Sequence, residues 1–353
     1  MCLAGLNQPF VIGSLPTRAG LVPRISGRLT PADRRGTLKV RWGVGRMDYR
    51  VDPGLYAIGD PDEASPVLVT ANYKLTFDKL RAAVVGHHFW MLVLDTKGVN
   101  VWCAAGKGTF STEEIVRLVE ASRLAEVVSH RVLIVPQLGA PGVAAHEVKR
   151  LCGFRIQYGP VQAQDVPAFV ESGCSASAKM RRKEFPVWER IVLIPIELVS
   201  TFKFLLILIP AFFVLGGFWR TGNFWANATS HGFFAVCALL GAVFAGAVLT
   251  PVLLPWLPGR SFTGKGFIAG FVSMLLIAFL QSPDLTHWAS RLEIIAWMLA
   301  GPAVAAYLAM NFTGASTYTS LSGVKREMRW AVPVETVAGA TGIILWFGSL
   351  LAA

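Results

Sequence analysis

Five apolar stretches, at residues 198–219, 231–254, 266–281, 292–312 and 331–351, fill the second half of the chain and constrain its fold more than any other feature. Each is close to the ~20 residues that cross the hydrocarbon core of a bilayer as a helix, the third being the shortest. Lipid offers no hydrogen bonds, so a span must satisfy its backbone within itself, and this half is expected to be all-helical. The charges divide at the same place: residues 1–190 carry 25 Lys+Arg and 17 Asp+Glu, whereas residues 191–353 carry 8 and 5. With 53% hydrophobic against 16% charged residues overall, the composition argues against an entirely soluble enzyme and against a disordered chain. Cysteines at 2, 103, 152, 174 and 237 show no framework spacing, which speaks for reduced thiols rather than a disulfide scaffold.

Five spans leave the two ends of the bundle on opposite sides of the lipid bilayer. Lys179, Arg181, Arg182, Lys183 and Arg190 precede the first span, Arg260 and Lys265 lie between the second and third, and Lys325, Arg326 and Arg329 lie between the fourth and fifth. The opposite side has only Arg220 and Arg291 near span ends. Positive loops stay inside, so the expected location is the cytoplasmic (inner) membrane, with the soluble domain cytoplasmic and the C-terminus outside. The opening MCLAGLNQPFVIG lacks the basic region and long apolar run of a signal peptide. Glu197 and Lys203 fall near the interface, where snorkelling accounts for them. Gly241, Gly246, Pro251, Gly301 and Pro302 fit ordinary helix packing, so the bundle reads as an anchor or docking platform.

In the soluble half, residues 11–37 are rich in Gly, Pro, Ser and Arg and read as an irregular lead-in. No aromatics interleave with those arginines, so no nucleic-acid partner is expected. From Leu38 onward, strand candidates at 38–44, 67–70, 89–95, 99–103, 131–137 and 154–159 alternate with helix candidates at 75–85, 112–127, 144–151 and 165–171. Ser111 and Glu114 form a capping box at the second helix, with Ile115, Leu118 and Val119 on one face. This alternation predicts an α/β, Rossmann-like domain whose site lies at the carboxyl ends of its strands, followed by an all-α membrane domain of five transmembrane helices. The expected boundaries are 1–37 for the lead-in, 38–178 for the α/β domain, 179–197 for a basic linker and 198–353 for the membrane domain.

One segment does not fit ordinary sheet packing. In NVWCAAGKG, residues 100–108, a strand is expected to end at Trp102 and Cys103 and run into small residues before the Ser111 cap. Ala104, Ala105 and Gly106 would let a large flat ligand approach the backbone, while Lys107 and the following helix N-terminus favour thiolate, the form that binds metal. By the residues alone, a buried structural cysteine fits as well.

NVWCAAGKG, followed by five spans, resembles the signature and architecture of the HgcA family, the membrane-anchored corrinoid proteins of mercury methylation. VLVTANYKLT (67–76), QLGAPGVAAHEVKR (137–150) and GFRIQYGPVQAQDVPAF (153–169) are similar to the corrinoid-binding domain of the corrinoid iron-sulfur protein of the acetyl-CoA pathway. The resemblance implies a cobalamin-type corrinoid held base-off, with Cys103 as the lower axial ligand of cobalt and Asn100, Val101, Trp102, Ala104, Ala105, Gly106 and Lys107 forming the cap beneath it. It makes Thr70, Asn72, Tyr73 and Thr76, with Gly139, Gly142, Gly159 and Pro160, the candidates for enclosing the macrocycle and its tail. Gly139, Pro141 and Gly142 equally fit a turn after a strand, Thr76 a helix cap, and Tyr73 a core position. His87 and His88 lack the surrounding motif of histidine-ligated corrinoid proteins and read as solvated or structural.

The activity implied is a corrinoid-dependent methyltransferase. A methyl group passes from a methyltetrahydrofolate-type donor, or its methyltransferase, to Hg(II), giving methylmercury. This chain lacks the four-cysteine cluster site of the corrinoid iron-sulfur protein, so electrons are expected from a separate ferredoxin-like partner with two 4Fe–4S clusters, of the HgcB type. A membrane-tethered methyl carrier of the acetyl-CoA pathway and a non-catalytic corrinoid-binding membrane protein are the alternatives.

Overall fold

The computed structural model describes residues 4–218, 222–282, 284–312 and 321–352. The chain divides into two compact units, Met1–Glu184 and Phe185–Ala353. Cys2, Trp219, Arg220 and Ala353 lie outside the described residues.

The first unit is built on a seven-stranded sheet of β1 (Val11–Thr17), β2 (Gly20–Ile25), β3 (Gly54–Ile58), β4 (Val67–Ala71), β5 (Phe89–Leu94), β6 (Val132–Val135) and β7 (Arg155–Tyr158), in the order β1-β2-β3-β5-β4-β6-β7. Strands β5, β4, β6 and β7 are parallel, β3 is antiparallel to β5, and β1 and β2 form an antiparallel hairpin. Its helices are α1 (Pro31–Arg41), α2 (Lys74–Ala83), α3 (Val101–Lys107), α4 (Thr112–Ala121), α5 (Leu124–Val127), α6 (Ala145–Cys152) and α7 (Val166–Glu171). Every residue of β4 and β5 is buried, which is why these strands read as unbroken apolar runs: helices cover both faces of the sheet. Val67, Val69, Ala71, Leu92 and Leu94 join the core beneath α3 to α6, whereas Leu68, Met91, Val93 and Ile134 join the core beneath α2 and α7.

The local reading of the sequence is corrected at several places. Residues 11–37 are no irregular lead-in: they form the β1–β2 hairpin and the start of α1, which Thr30 and Asp33 open with a reciprocal capping box and Pro31 in the first turn. Residues 38–41 are the last turn of that helix and not a strand, and residues 42–44 belong to the turn after it, in which Gly43 and Gly45 take φ 78° and 63°. The 112–127 helix breaks at Arg123, φ 51°, into α4 and α5. Strand β3 had no counterpart in the periodicity.

A buried charge network joins α1 to α2. The fully buried Arg81 guanidinium donates to Asp78 Oδ1 at 2.8 Å, to Asp33 Oδ2 at 2.9 Å and to the Ser26 carbonyl at 2.6 Å. Lys74 Nζ bridges Asp33 and Asp78, each at 2.6 Å. Burial raises the pKa of Asp33, but hydrogen bonds from Lys74 and from the Thr30 amide and hydroxyl outweigh it and hold this carboxyl well below the usual carboxylate range.

The second unit consists of α8 (Val187–Ile191), α9 (Ile194–Gly217), α10 (Phe224–Leu253), α11 (Phe262–Gln281), α12 (Trp288–Asn311) and α13 (Leu321–Leu351). Helices α9 to α13 are long and apolar enough to cross a membrane. Glycines set the spacing, because a Cβ added at Gly246 would lie 2.5 Å from the Ala305 carbonyl oxygen, and one at Gly301 2.4 Å from Met274 Sδ.

Candidate functional site

Parallel strands β4, β5, β6 and β7 deliver their carboxyl ends to one edge of the sheet. After β4 the chain crosses to β5 on one side, and after β5 it returns to β6 on the other, so the strand order reverses around β4. An open α/β sheet has its crevice at such a switch point. The candidate residues follow this edge: Thr70 near the end of β4, Asn72, Tyr73 and Thr76 from there into the first turn of α2, Asn100–Lys107 after β5 at the cap and body of α3, Gly139 and Gly142 after β6, and Gly159 and Pro160 after β7. His87 and His88 precede β5 at the opposite edge, where His88 Nδ1 accepts a hydrogen bond from the Asp60 amide at 2.8 Å.

Cys103 is on a helix, not at the end of a strand. Asn100 is the N-cap of α3, in extended conformation, and its Oδ1 accepts from the Cys103 amide at 2.9 Å. Gly108, at φ 77°, ends the helix. Val101, Ala104 and Ala105 are buried in the core, while Trp102 and Cys103 are half-buried and Gly106 and Lys107 exposed. The alternation reflects helical geometry: residues three and four apart share a face, so burying 101, 104 and 105 turns Cys103, Gly106 and Lys107 outward. The apolar residues that suggested a strand form the seam of this short helix.

Close packing fixes the seat of α3. The turn Gln137–Gly142 follows β6, and a Cβ at Gly142 would lie 2.1 Å from the Phe110 carbonyl oxygen and 3.1 Å from Ala105 Cα. One at Gly139 would meet the fully buried Phe110 ring at 2.5 Å. At both positions a side chain would collide with Phe110. Gly159 donates its amide to the Val135 carbonyl at 2.8 Å, and it and Pro160 are buried.

Asn72, 1% exposed, also works inside the protein. Its Oδ1 accepts from the Thr96 amide at 3.1 Å, the Thr96 hydroxyl at 2.9 Å and the Gly98 amide at 3.0 Å, and its Nδ2 donates to Asp95 at 3.1 Å. The side chain thus ties the end of β4 to the loop that delivers α3. Glu114, on α4, accepts from the Asp95 amide at 2.9 Å and holds the same loop from the other side. Thr70 is buried; Tyr73, at the N-cap position of α2, is 6% exposed, and burial pushes its hydroxyl pKa up against the influence of Arg46 and Arg41. Thr76 lies inside the first turn of α2 and does not cap it.

Two features escaped the sequence. The segment after α1 comes to this edge: Arg50 pairs with Tyr73, and a Cβ at Gly98 would lie 3.2 Å from the Met47 carbonyl oxygen. It presents Trp42 and Met47, 49% and 74% exposed. Thr109, just past α3, has a buried hydroxyl with no hydrogen-bond partner among the described residues. Only the tertiary fold brings Met47 and Arg50 to Tyr73 and to Gly98 in the loop before α3, so no local pattern could have flagged them.

Among the described residues no group of three or more His, Cys, Asp or Glu could hold a metal ion. A metal at Cys103 would therefore need a group bringing its own equatorial donors. A half-buried thiol on an outward face with Gly106 in place of bulk, on a helix followed by the unpartnered Thr109 hydroxyl, fits a flat macrocycle of that kind. Cys152 differs: its thiol donates to the Val148 carbonyl at 3.2 Å, and burial pushes its pKa up.

Residues 43–170 match the CdhD family model, described as CO dehydrogenase/acetyl-CoA synthase delta subunit. The chain is 35% identical over 128 residues to the acetyl-CoA decarbonylase/synthase complex subunit gamma of Methanopyrus kandleri, a match spanning 36% of this chain and 27% of that subunit. It is 40% identical over 97 residues to the corresponding Methanocaldococcus jannaschii subunit, covering 27% of this chain and 20% of that one. The corrinoid/iron-sulfur protein large subunit of Moorella thermoacetica is 30% identical over 133 residues, covering 37% and 29%. The chain thus spans under a third of the length of these relatives, and the likeness lies in the α/β unit.

Proposed function

We propose that the α/β unit binds a cobalamin-type corrinoid at the carboxyl edge of its parallel strands, where the Cys103 thiol would hold its cobalt, and that the protein transfers methyl groups from a methyltetrahydrofolate-type donor to Hg(II). The observation that carries the reading is the outward Cys103 on α3, in a segment similar to proteins of which one is named for its corrinoid. When bound, the corrinoid supplies a cobalt centre able to carry a methyl group. The chain supplies the rest. Asn100 fixes the first turn of α3 and so the direction of the thiol; Asn72 and Glu114 hold the loop before it; Gly139 and Gly142 let the β6 turn seat the helix. A thiolate donates electron density strongly, which suits delivery of methyl to an electrophile such as Hg(II). A ferredoxin-like partner with two 4Fe–4S clusters would provide electrons. The five apolar helices would anchor the unit at the inner membrane, with the α/β domain in the cytoplasm.

Activity and absorption spectra of Cys103 variants test this. Cys103→Ala is expected to fold, at a cost of ~1–2 kcal/mol, and to lose Hg(II) methylation. Cys103→His should bind corrinoid yet transfer methyl poorly, because imidazole is the weaker donor, while Cys152→Ala and Cys174→Ala remain active. Near wild-type methylation by Cys103→Ala would overturn the ligand assignment. The named relatives favour a second reading, a methyl carrier of the acetyl-CoA type; methyl transfer to a protein acceptor with none to Hg(II) would establish it instead.

A further inference from the structure

The membrane unit contains a cavity of about 300 Å³ between α9, α10, α12 and α13. Its lining is graded. Helices α9 and α13, as first and last of five alternating spans, run in the same direction, and α12 runs against them. Thr201, Tyr307 and Glu335 therefore share one layer, toward the basic ends of the spans, and Leu208, Ala303 and Gly339 share a deeper, apolar one. Tyr307 is 47% exposed, which opens the cavity to the lipid-facing surface. Glu335 itself is 8% exposed, and neither of its carboxylate oxygens has a hydrogen-bond partner among the described residues. A carboxylate buried in a bilayer without donors is costly, and such groups mark ligand or ion sites.

We propose that this cavity is a binding site for a bilayer-borne amphiphile with a primary ammonium head, the ammonium on Glu335 and the alkyl chain running past Leu208 and Gly339. When ionised, a carboxylate with two unpartnered oxygens calls for more than one donor together with a compensating positive charge. A primary ammonium brings three N–H donors and the charge; an alcohol brings one donor and no charge. The volume is at the lower end of the range for small-molecule sites, which suits a single chain. The site is independent of the corrinoid reading.

Titration of the full-length protein in phosphatidylcholine nanodiscs with dodecylamine, dodecanol and dodecanoate, read by native mass spectrometry and calorimetry, tests the assignment. Dodecylamine is expected to bind saturably and more tightly than dodecanol, and dodecanoate not at all. Glu335→Gln, which keeps size and shape, should weaken dodecylamine about tenfold or more. Gly339→Leu should remove binding by filling the apolar end, and the space accepts it, since a Cβ at Gly339 meets nothing within 4 Å. Equal dodecylamine affinity in wild type and both variants, or dodecanol or dodecanoate binding as tightly as the amine, would overturn the proposal.

Discussion

Asn72→Ala should loosen the loop that carries α3 without unfolding the sheet. The wild-type side chain accepts from the Thr96 and Gly98 amides, competes with the Val99 carbonyl for the single Thr96 hydroxyl proton, and donates to Asp95. Buried hydrogen bonds are worth ~1 kcal/mol each, so the gross loss is about 3–4 kcal/mol. Part is recovered: the Thr96 hydroxyl keeps its 2.6 Å bond to the Val99 carbonyl, and water can enter the vacated space. A net local cost of ~2–3 kcal/mol corresponds to roughly 30- to 150-fold faster amide exchange at Thr96 and Gly98. Hydrogen exchange on the full chain would read this, with the amides of β4 and β5 as the internal reference. Asn72→Asp makes a sharper control, since it keeps the acceptors but sets a second carboxylate against Asp95. Burial raises the pKa of Asp95, and the hydrogen bonds and charge of Lys97 together with the hydrogen bond from Asn72 outweigh it in the native protein. The defect of Asn72→Asp should therefore shrink as acid allows the pair to share a proton. Acceleration at Thr96 and Gly98 of less than about threefold in the alanine variant, or equal acceleration throughout the sheet, would refute the tie between Asn72 and the loop.

Gly142→Ala places a methyl against the Phe110 carbonyl and Ala105 backbone, which cannot swing away, so a loss of ~1–3 kcal/mol in thermal stability is expected, with the turn displaced from α3. Asp33→Asn leaves the buried Arg81 with one carboxylate and should cost ~3 kcal/mol at pH 7 by thermal melting. Because the folded pKa of Asp33 is depressed, its contribution is complete above the unfolded value and disappears as pH falls toward the folded one. Wild-type stability should accordingly drop below about pH 4, while Asp33→Asn loses less over that window. A reporter fused after Ala353 should be active only outside the cytoplasm; cytoplasmic activity would refute the proposed orientation.

The sequence alone determined the division of labour. Apolar length and the scarcity of charge specify membrane helices because lipid satisfies no backbone group, and that requirement acts within each segment. Fully buried runs such as 89–94 specify interior strands for a similarly local reason, and the small-residue segment around Cys103 marked the place to look. What local pattern could not decide was the conformation of that segment: Val101, Ala104 and Ala105 suit a strand or a helix, and the choice fell to Asn100 capping the turn and to the space left by Gly139 and Gly142, 30 and more residues downstream. Nor could it show that Asn72 is consumed by the β5–α3 loop, that residues 47–50 border the site, or that Glu335 faces a cavity. Each of these depends on which elements become neighbours, and that is set by strand order and helix packing, contacts between residues far apart in the chain to which no short window of sequence has access.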